Sequence, residues 1–186
     1  MFDGPCLTPR DVLRGYFHAK DENRPHLLAA VFSADAEVRI VNRAMDMGFP
    51  DVTQGLEAIA DVLVRRFGQT YENIYSFYLA APPESTEVFS CPWLVGMTEK
   101  ATQNVRVGCG SYDWTFQQDG AQLACALVIT IDAMQVLPPQ DRDAVLGWLR
   151  QLQYPWSSPA EVAAHAPALA LLAPLLQCLR SDAGVA

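Results

Sequence analysis

At 186 residues, with 51% apolar against 18% charged side chains, the chain has the size and composition of one folded domain with room for an added segment. That apolar fraction excludes a disordered tail protein. Thirteen Lys+Arg against twenty-one Asp+Glu give a net charge of −8 with no basic run. Nucleic acid and anionic membrane surfaces, which both need cations, are therefore disfavoured as partners.

The first element predicted is a helix from Pro9. Thr8 caps it, Asp11 completes a capping box three residues on, and Val12, Leu13, Tyr16 and Phe17 form its apolar face. A short helix after Arg24-Pro25 carries Leu27, Leu28, Val31 and Phe32. Ala36 to Val41 reads as a strand, Ala44 to Val52 as a loop, and Gly55 to Phe67 as an amphipathic helix. The period then changes from 3.6 to 2, with strands at about 72–80, 87–98, 104–117 and 122–136. Asp119-Gly120 is a two-residue hairpin signal. Beyond Pro138-Pro139 the chain is helical again, over Asp141 to Leu152 and over the Ala/Leu-rich stretch Ser158 to Arg180. The order predicts an α+β fold with a curved antiparallel sheet wrapped around the N-terminal helices.

Cys6, Cys91, Cys109, Cys125 and Cys178 are odd in number and form no CxxC, and the start has no basic n-region or apolar h-region. Reduced thiols in a cytoplasmic protein are the expectation. His18, His26 and His165 have no metal-ligand spacing, and nothing calls for a metal or cofactor. The longest apolar stretch, Val162 to Leu176, is interrupted by His165, Pro167 and Pro174 and is too short to span a bilayer.

Val12-Leu13-Arg14-Gly15-Tyr16-Phe17, then Phe32-Ser33-Ala34-Asp35-Ala36-Glu37-Val38, then Gly55-Leu56-Glu57-Ala58-Ile59 resemble the nuclear transport factor 2-like superfamily. That group includes SnoaL-type polyketide cyclases, ketosteroid isomerases and scytalone dehydratases. The match covers about residues 9–136 and implies a cone-shaped domain over 1–136, with a helical extension, 137–186, packed on the same core. Such a fold hosts unrelated chemistries and noncatalytic binders alike. The ketosteroid isomerase pattern implies a helix-1 tyrosine, which Tyr16 supplies, plus an aspartate base and a protonated acid. The base position falls on Ile40 and the acid position on Tyr112, with Asp113 turned outward, so that mechanism lacks two of its parts here.

Parity from the Asp119-Gly120 turn sets Trp114 opposite Cys125 and Tyr112 opposite Leu127. Tyr112, Trp114, Phe116, Leu123, Cys125, Leu127, Ile129 and Ile131 then face inward. Phe89, Cys91, Trp93, Val95 and Met97 share that face, with Trp93 opposite Gly110 and Val95 opposite Gly108. Asn73, Tyr75, Phe77 and Leu79 are the inward parity of the first meander strand. Tyr16 either polarises a ligand carbonyl or is a core tyrosine bonded internally. Asn42, in phase with Ile40, is a ligand hydrogen-bonder or a satisfied structural amide. Asp46, in the mouth loop, is the acid–base candidate or a solvated carboxylate. Tyr75, Phe77, Trp93 and Trp114 form either an aromatic pocket wall or plain core.

A small apolar, cyclic ligand is the expected partner, with an isomerase, cyclase or dehydratase activity or a noncatalytic binding role. A homodimer is expected through the outer sheet face (Ser111, Thr115, Ala126, Val128, Thr130), with Asp113 and Asp132 at its rim. The extension is predicted to form two short helices, started at Pro167 and broken at Pro174, over the cone mouth or the dimer partner.

Overall fold

The computed structural model describes residues 7–44, 48–118 and 122–182. Helix α1 (Pro9–Asp21) begins as its capping box dictates: the Asp11 amide donates to Thr8 Oγ1 at 3.3 Å, and the Thr8 amide donates to the Asp11 carboxylate at 3.0 Å. Its buried face runs through Val12, Leu13, Tyr16, Phe17 and Lys20. A 3₁₀ turn, Pro25–Ala30, leads into β1 (Phe32–Asn42) and β2 (Val52–Gln54). Helix α2 (Leu56–Ala60) passes through a π-helical stretch, Asp61–Arg66, into α3 (Phe67–Thr70). The meander is β3 (Tyr71–Tyr78), β4 (Val88–Glu99), β5 (Val105–Phe116) and β6 (Ala124–Leu137).

These strands make one six-stranded sheet in the order β2-β1-β6-β5-β4-β3, curved around α1, α2 and α3. The fold is α+β, as the element order predicts, but the sheet is not wholly antiparallel. β1 runs parallel to β6, because the chain leaves β1 through the helices and re-enters from the far edge.

Trp93 pairs with Gly110 and Val95 with Gly108, as the glycine spacing predicts. A Cβ at Gly110 would lie 1.9 Å from the Thr130 carbonyl oxygen, so the strands approach there only because position 110 has no side chain. The β5–β6 register differs from the two-residue-turn expectation. Trp114 pairs with Leu127 and Tyr112 with Ile129, a shift of two that preserves parity. The Gln117 amide reaches Leu123, and Asp119-Gly120 itself lies outside the described residues. A bulge at Thr115/Phe116 then brings Ala124, in place of Cys125, into the inner core.

On β3 the predicted parity is inverted. Asn73 has φ 52° and the register to β4 slips between Glu72 and Tyr75. The extra residue turns Ile74, Ser76 and Tyr78 inward and sends Tyr75 and Phe77 to the outer face.

The C-terminal segment forms α4 (Arg142–Leu149), α5 (Pro159–His165) and α6 (Ala173–Asp182). Val145, Trp148 and Leu149 of α4 pack with Leu94, Val107 and Cys109, which are on the outer face of the sheet, and so do Leu172 and Leu175. The extension thus builds a second apolar layer instead of joining the inner core or covering the cone mouth. The proline roles also change: α5 ends before Pro167, and Pro174 sits in the first turn of α6, where its missing N–H costs nothing.

Candidate functional site

The inner core leaves an open-sided cavity of about 60 Å³ beside the second half of α1. Its walls are hydrocarbon: Ile40, Leu63, Phe67, Met97, Ile129 and Met134 among others. The side chains that bring polar atoms to this lining are Tyr16, Lys20, Trp93 and Tyr112. Tyr16 and Lys20 are one helical turn apart, so the geometry that buries Tyr16 also carries Lys20 inward.

Tyr16 is 1% exposed and edge-on to Phe32, Tyr112 and Trp114, with ring centroids 6.1, 6.0 and 5.3 Å away. Its hydroxyl interacts with that of Tyr112. Burial, reinforced by the negative charge of Asp21, pushes the Tyr16 hydroxyl far up from its ordinary value. Burial does the same to Tyr112 and Tyr78. Both cavity tyrosines are therefore neutral donors at physiological pH. Tyr78 stacks on Phe17 at 3.9 Å and donates to the Leu13 carbonyl, which marks it as structural.

Lys20 is the group the sequence reading passed over. Only 6% exposed, it contacts the Asp21 carboxylate directly and donates to Ser76 Oγ at 2.9 Å. Ser76 in turn donates to Asp21 Oδ1 at 3.0 Å, closing a triangle. The signal was available: a lysine four residues after Tyr16 and three after Phe17 continues the apolar face of α1. What could not be seen was Ser76, which the β3 bulge turns inward.

Trp93 lies tilted against Tyr112 at 5.6 Å, and its indole N–H is buried with no partner among the described residues. The Trp114 N–H is in the same condition, although Trp114 packs behind Tyr16 and not on the cavity. Asn42 is exposed, and its side-chain oxygen accepts from the Ala44 amide at 3.2 Å; the strand ends before its phase can carry it into the cone. Tyr75 and Phe77 line an outer groove of about 250 Å³ with Asp21, Leu149 and Tyr154. Asp46 lies outside the described residues. Asp113 is exposed and accepts from Ser90 Oγ at 2.5 Å, and Ile40 presents only hydrocarbon at the isomerase base position.

Among the described residues no carboxylate or imidazole lines the cavity, and no group of His, Cys, Asp and Glu is arranged to hold a metal. Burial, with Asp113 adding to it, pushes the Cys91 thiol far up, away from nucleophilic reactivity. What converges is a set of hydrogen-bond donors in an apolar chamber.

No protein-family model matches the sequence, and a search among curated proteins returns no match. Solved structures do match by shape. A type 2 hexachlorocyclohexane dehydrochlorinase superposes with a TM-score of 0.53 at 16% identity, over 68% of this chain and 84% of its own. A ketosteroid isomerase-like protein from Erwinia carotovora atroseptica gives 0.51 at 13%, over 70% and 98%. A nuclear transport factor 2-like superfamily protein from Salmonella enterica serovar Typhimurium gives 0.51 at 12%, over 69% and 87%. The fold is the nuclear transport factor 2-like cone, and the catalysts and other proteins that share it leave the role to be argued from the cavity.

Proposed function

We propose that the protein binds a small, largely apolar, oxygen-bearing compound inside the cone. The observation that carries this reading is the cavity itself: a hydrocarbon chamber in which Tyr16, Tyr112, Lys20 and Trp93 offer donors and no described side chain offers a carboxylate. Tyr16 and Tyr112 are both kept neutral by burial, so each has an O–H to give to a ligand carbonyl. Neutral donors held in place among hydrocarbon walls polarise such a carbonyl with little reorganisation. An isomerase, cyclase or dehydratase step would need a base, for which Asp46 is the candidate from the sequence. The test is a panel of small cyclic ketones followed by melting temperature and by chemical-shift changes. Binding supports the reading; a panel that moves neither overturns it. Loss of turnover in Asp46→Asn, on any ketone that is converted, separates catalysis from binding.

The extension covers about half of the outer sheet face, and we propose that a second copy docks on what is left. Helix α4 and its neighbours cover Leu94, Val107 and Cys109, while Thr115 stays exposed and Ser111, Ala126 and Val128 half-buried, beside the exposed Val88 and Val41; Thr130, expected on this face, is buried. Asp132 pairs with Arg43 at 3.0 Å near the end of that face. Light scattering at micromolar concentration giving twice the chain mass supports the dimer; the single-chain mass overturns it.

A further inference from the structure

We propose that Lys20 makes the cavity an oxyanion site, one that takes the phenolate- or enolate-like oxygen of its apolar ligand, with Asp21 and Ser76 holding the ammonium from behind. The inference rests on the ligand-binding reading above and names the chemistry that reading leaves open.

An ammonium has three N–H donors. On Lys20 one meets Asp21 and one meets Ser76, and no third acceptor exists among the described residues. Nζ lies 4.8 Å from the centroid of Phe67, itself a wall of the cavity, and 5.7 Å from that of Phe17. Ring faces hold a cation without consuming a hydrogen-bond donor directionally, so the third N–H remains for an incoming oxygen.

The two members of the ion pair also face different spaces. Lys20 lines the inner cavity, whereas Asp21 lines the outer groove. A ligand in the cone therefore meets the cation first and the carboxylate only behind it. Ser76 bonds to both, fixing the ammonium before a ligand arrives, which is the condition for stabilising a developing negative charge. Trp93 lines the same cavity as Lys20, while its indole N–H is buried in the wall. A lysine buried only for packing gains little over methionine of similar length, since pairing barely repays the desolvation of two charges. A charge facing a cavity gives the pair a use.

The charged and titratable groups around Lys20 are Tyr16 and Asp21 on its own helix and Tyr112 on β5, with Ser76 the polar neighbour on β3. The experiment compares 4-nitrophenol with 4-nitroanisole, its methyl ether, at one pH below the phenol's own pKa. Binding is followed by melting temperature, and the phenolate absorption band reports the ionisation of bound probe. Wild type is expected to favour the phenol and to show the phenolate band. In Lys20→Met the phenol-to-anisole affinity ratio falls about tenfold, the scale of one charge-assisted hydrogen bond, and the band disappears. Because that variant strands Asp21 without its partner, the double variant Lys20→Met/Asp21→Asn, which removes both charges, carries the same expectation in a chain with no orphaned ion. Asp21→Asn alone removes the countercharge and raises the phenolate fraction. A double variant with wild-type ratio and band overturns the oxyanion site while leaving the cavity reading intact. Failure of both probes to bind wild type overturns the cavity reading, and this inference with it.

Discussion

The extension's grip on the sheet is the most direct claim to test, because one of its contacts is close enough to report on it. Leu149 of α4 is 1% exposed and lies over Gly96 of β4. A Cβ at Gly96 would stand 2.1 Å from Leu149 Cδ1, so Gly96→Ala forces that methyl back by about 1.5 Å to reach ordinary contact. Overpacking of this kind costs about 1–3 kcal/mol. Leu149→Ala leaves a hole instead, at about 2–5 kcal/mol. Combined, the new methyl occupies part of the hole, so the double variant is expected to lose less than the sum of the singles by about 1 kcal/mol. Urea unfolding with a common slope measures all three, and each kcal/mol corresponds to about 2–4 °C in melting temperature for a chain of this size. Additivity within the error of the fits would refute the contact. A Leu149→Ala chain with an unmoved midpoint would refute the docking of α4 altogether.

Tyr16→Phe is expected to weaken ketone binding and to cost about 1–3 kcal/mol by removing the hydroxyl that interacts with the buried Tyr112; binding and urea midpoint both unchanged would count against the hydroxyl pair. At high pH the buried tyrosines should drive unfolding. The fold favours the neutral phenols of Tyr16, Tyr78 and Tyr112, so the native chain holds more protons than the unfolded chain above about pH 10. Their contribution is complete below that pH and is lost as pH climbs toward the raised native values. Tyrosinate absorbance for these three should therefore appear together with loss of structure; full ionisation of a still-folded chain would contradict the burial.

Where one-dimensional pattern and backbone geometry coincide, the structure was legible in advance. The Thr8–Asp11 box fixed the start of α1, and the glycines at 108 and 110 fixed the β4–β5 register, because both signals are local. The misread residues share one cause. Tyr75, Phe77 and Cys125 were assigned by counting in twos, and a single bulge on β3 and another at Thr115/Phe116 each break the count. Nothing short of an Asn at positive φ announces the first, and asparagine adopts that conformation too variably to be decisive. Asn42 failed differently: its parity was right, but its strand ended. Lys20 was missed because a charged residue on an apolar face needs its partners before it can be interpreted, and Ser76 comes into place only through the bulge.

The two faces of the sheet consequently do different work. Inward side chains of β4, β5 and β6 enclose the cavity, while outward ones seat the extension, and strand backbone alone separates the layers. β3 is where they communicate. Its residue 76 holds Lys20 and its residue 77 packs beneath the extension, one peptide apart on opposite faces. A substitution that loosens α4 at Leu149 lowers the stability of the whole sheet, yet it reaches the ligand site only through the strand backbone of β3 and β4. A substitution at Ser76 acts on the site at once. Ketone affinity should therefore fall for Ser76→Ala at a cost of about 1–3 kcal/mol in stability and hold for Leu149→Ala at about 2–5 kcal/mol. That crossed pattern follows from the bulge, because without it Ser76 and Phe77 would exchange faces.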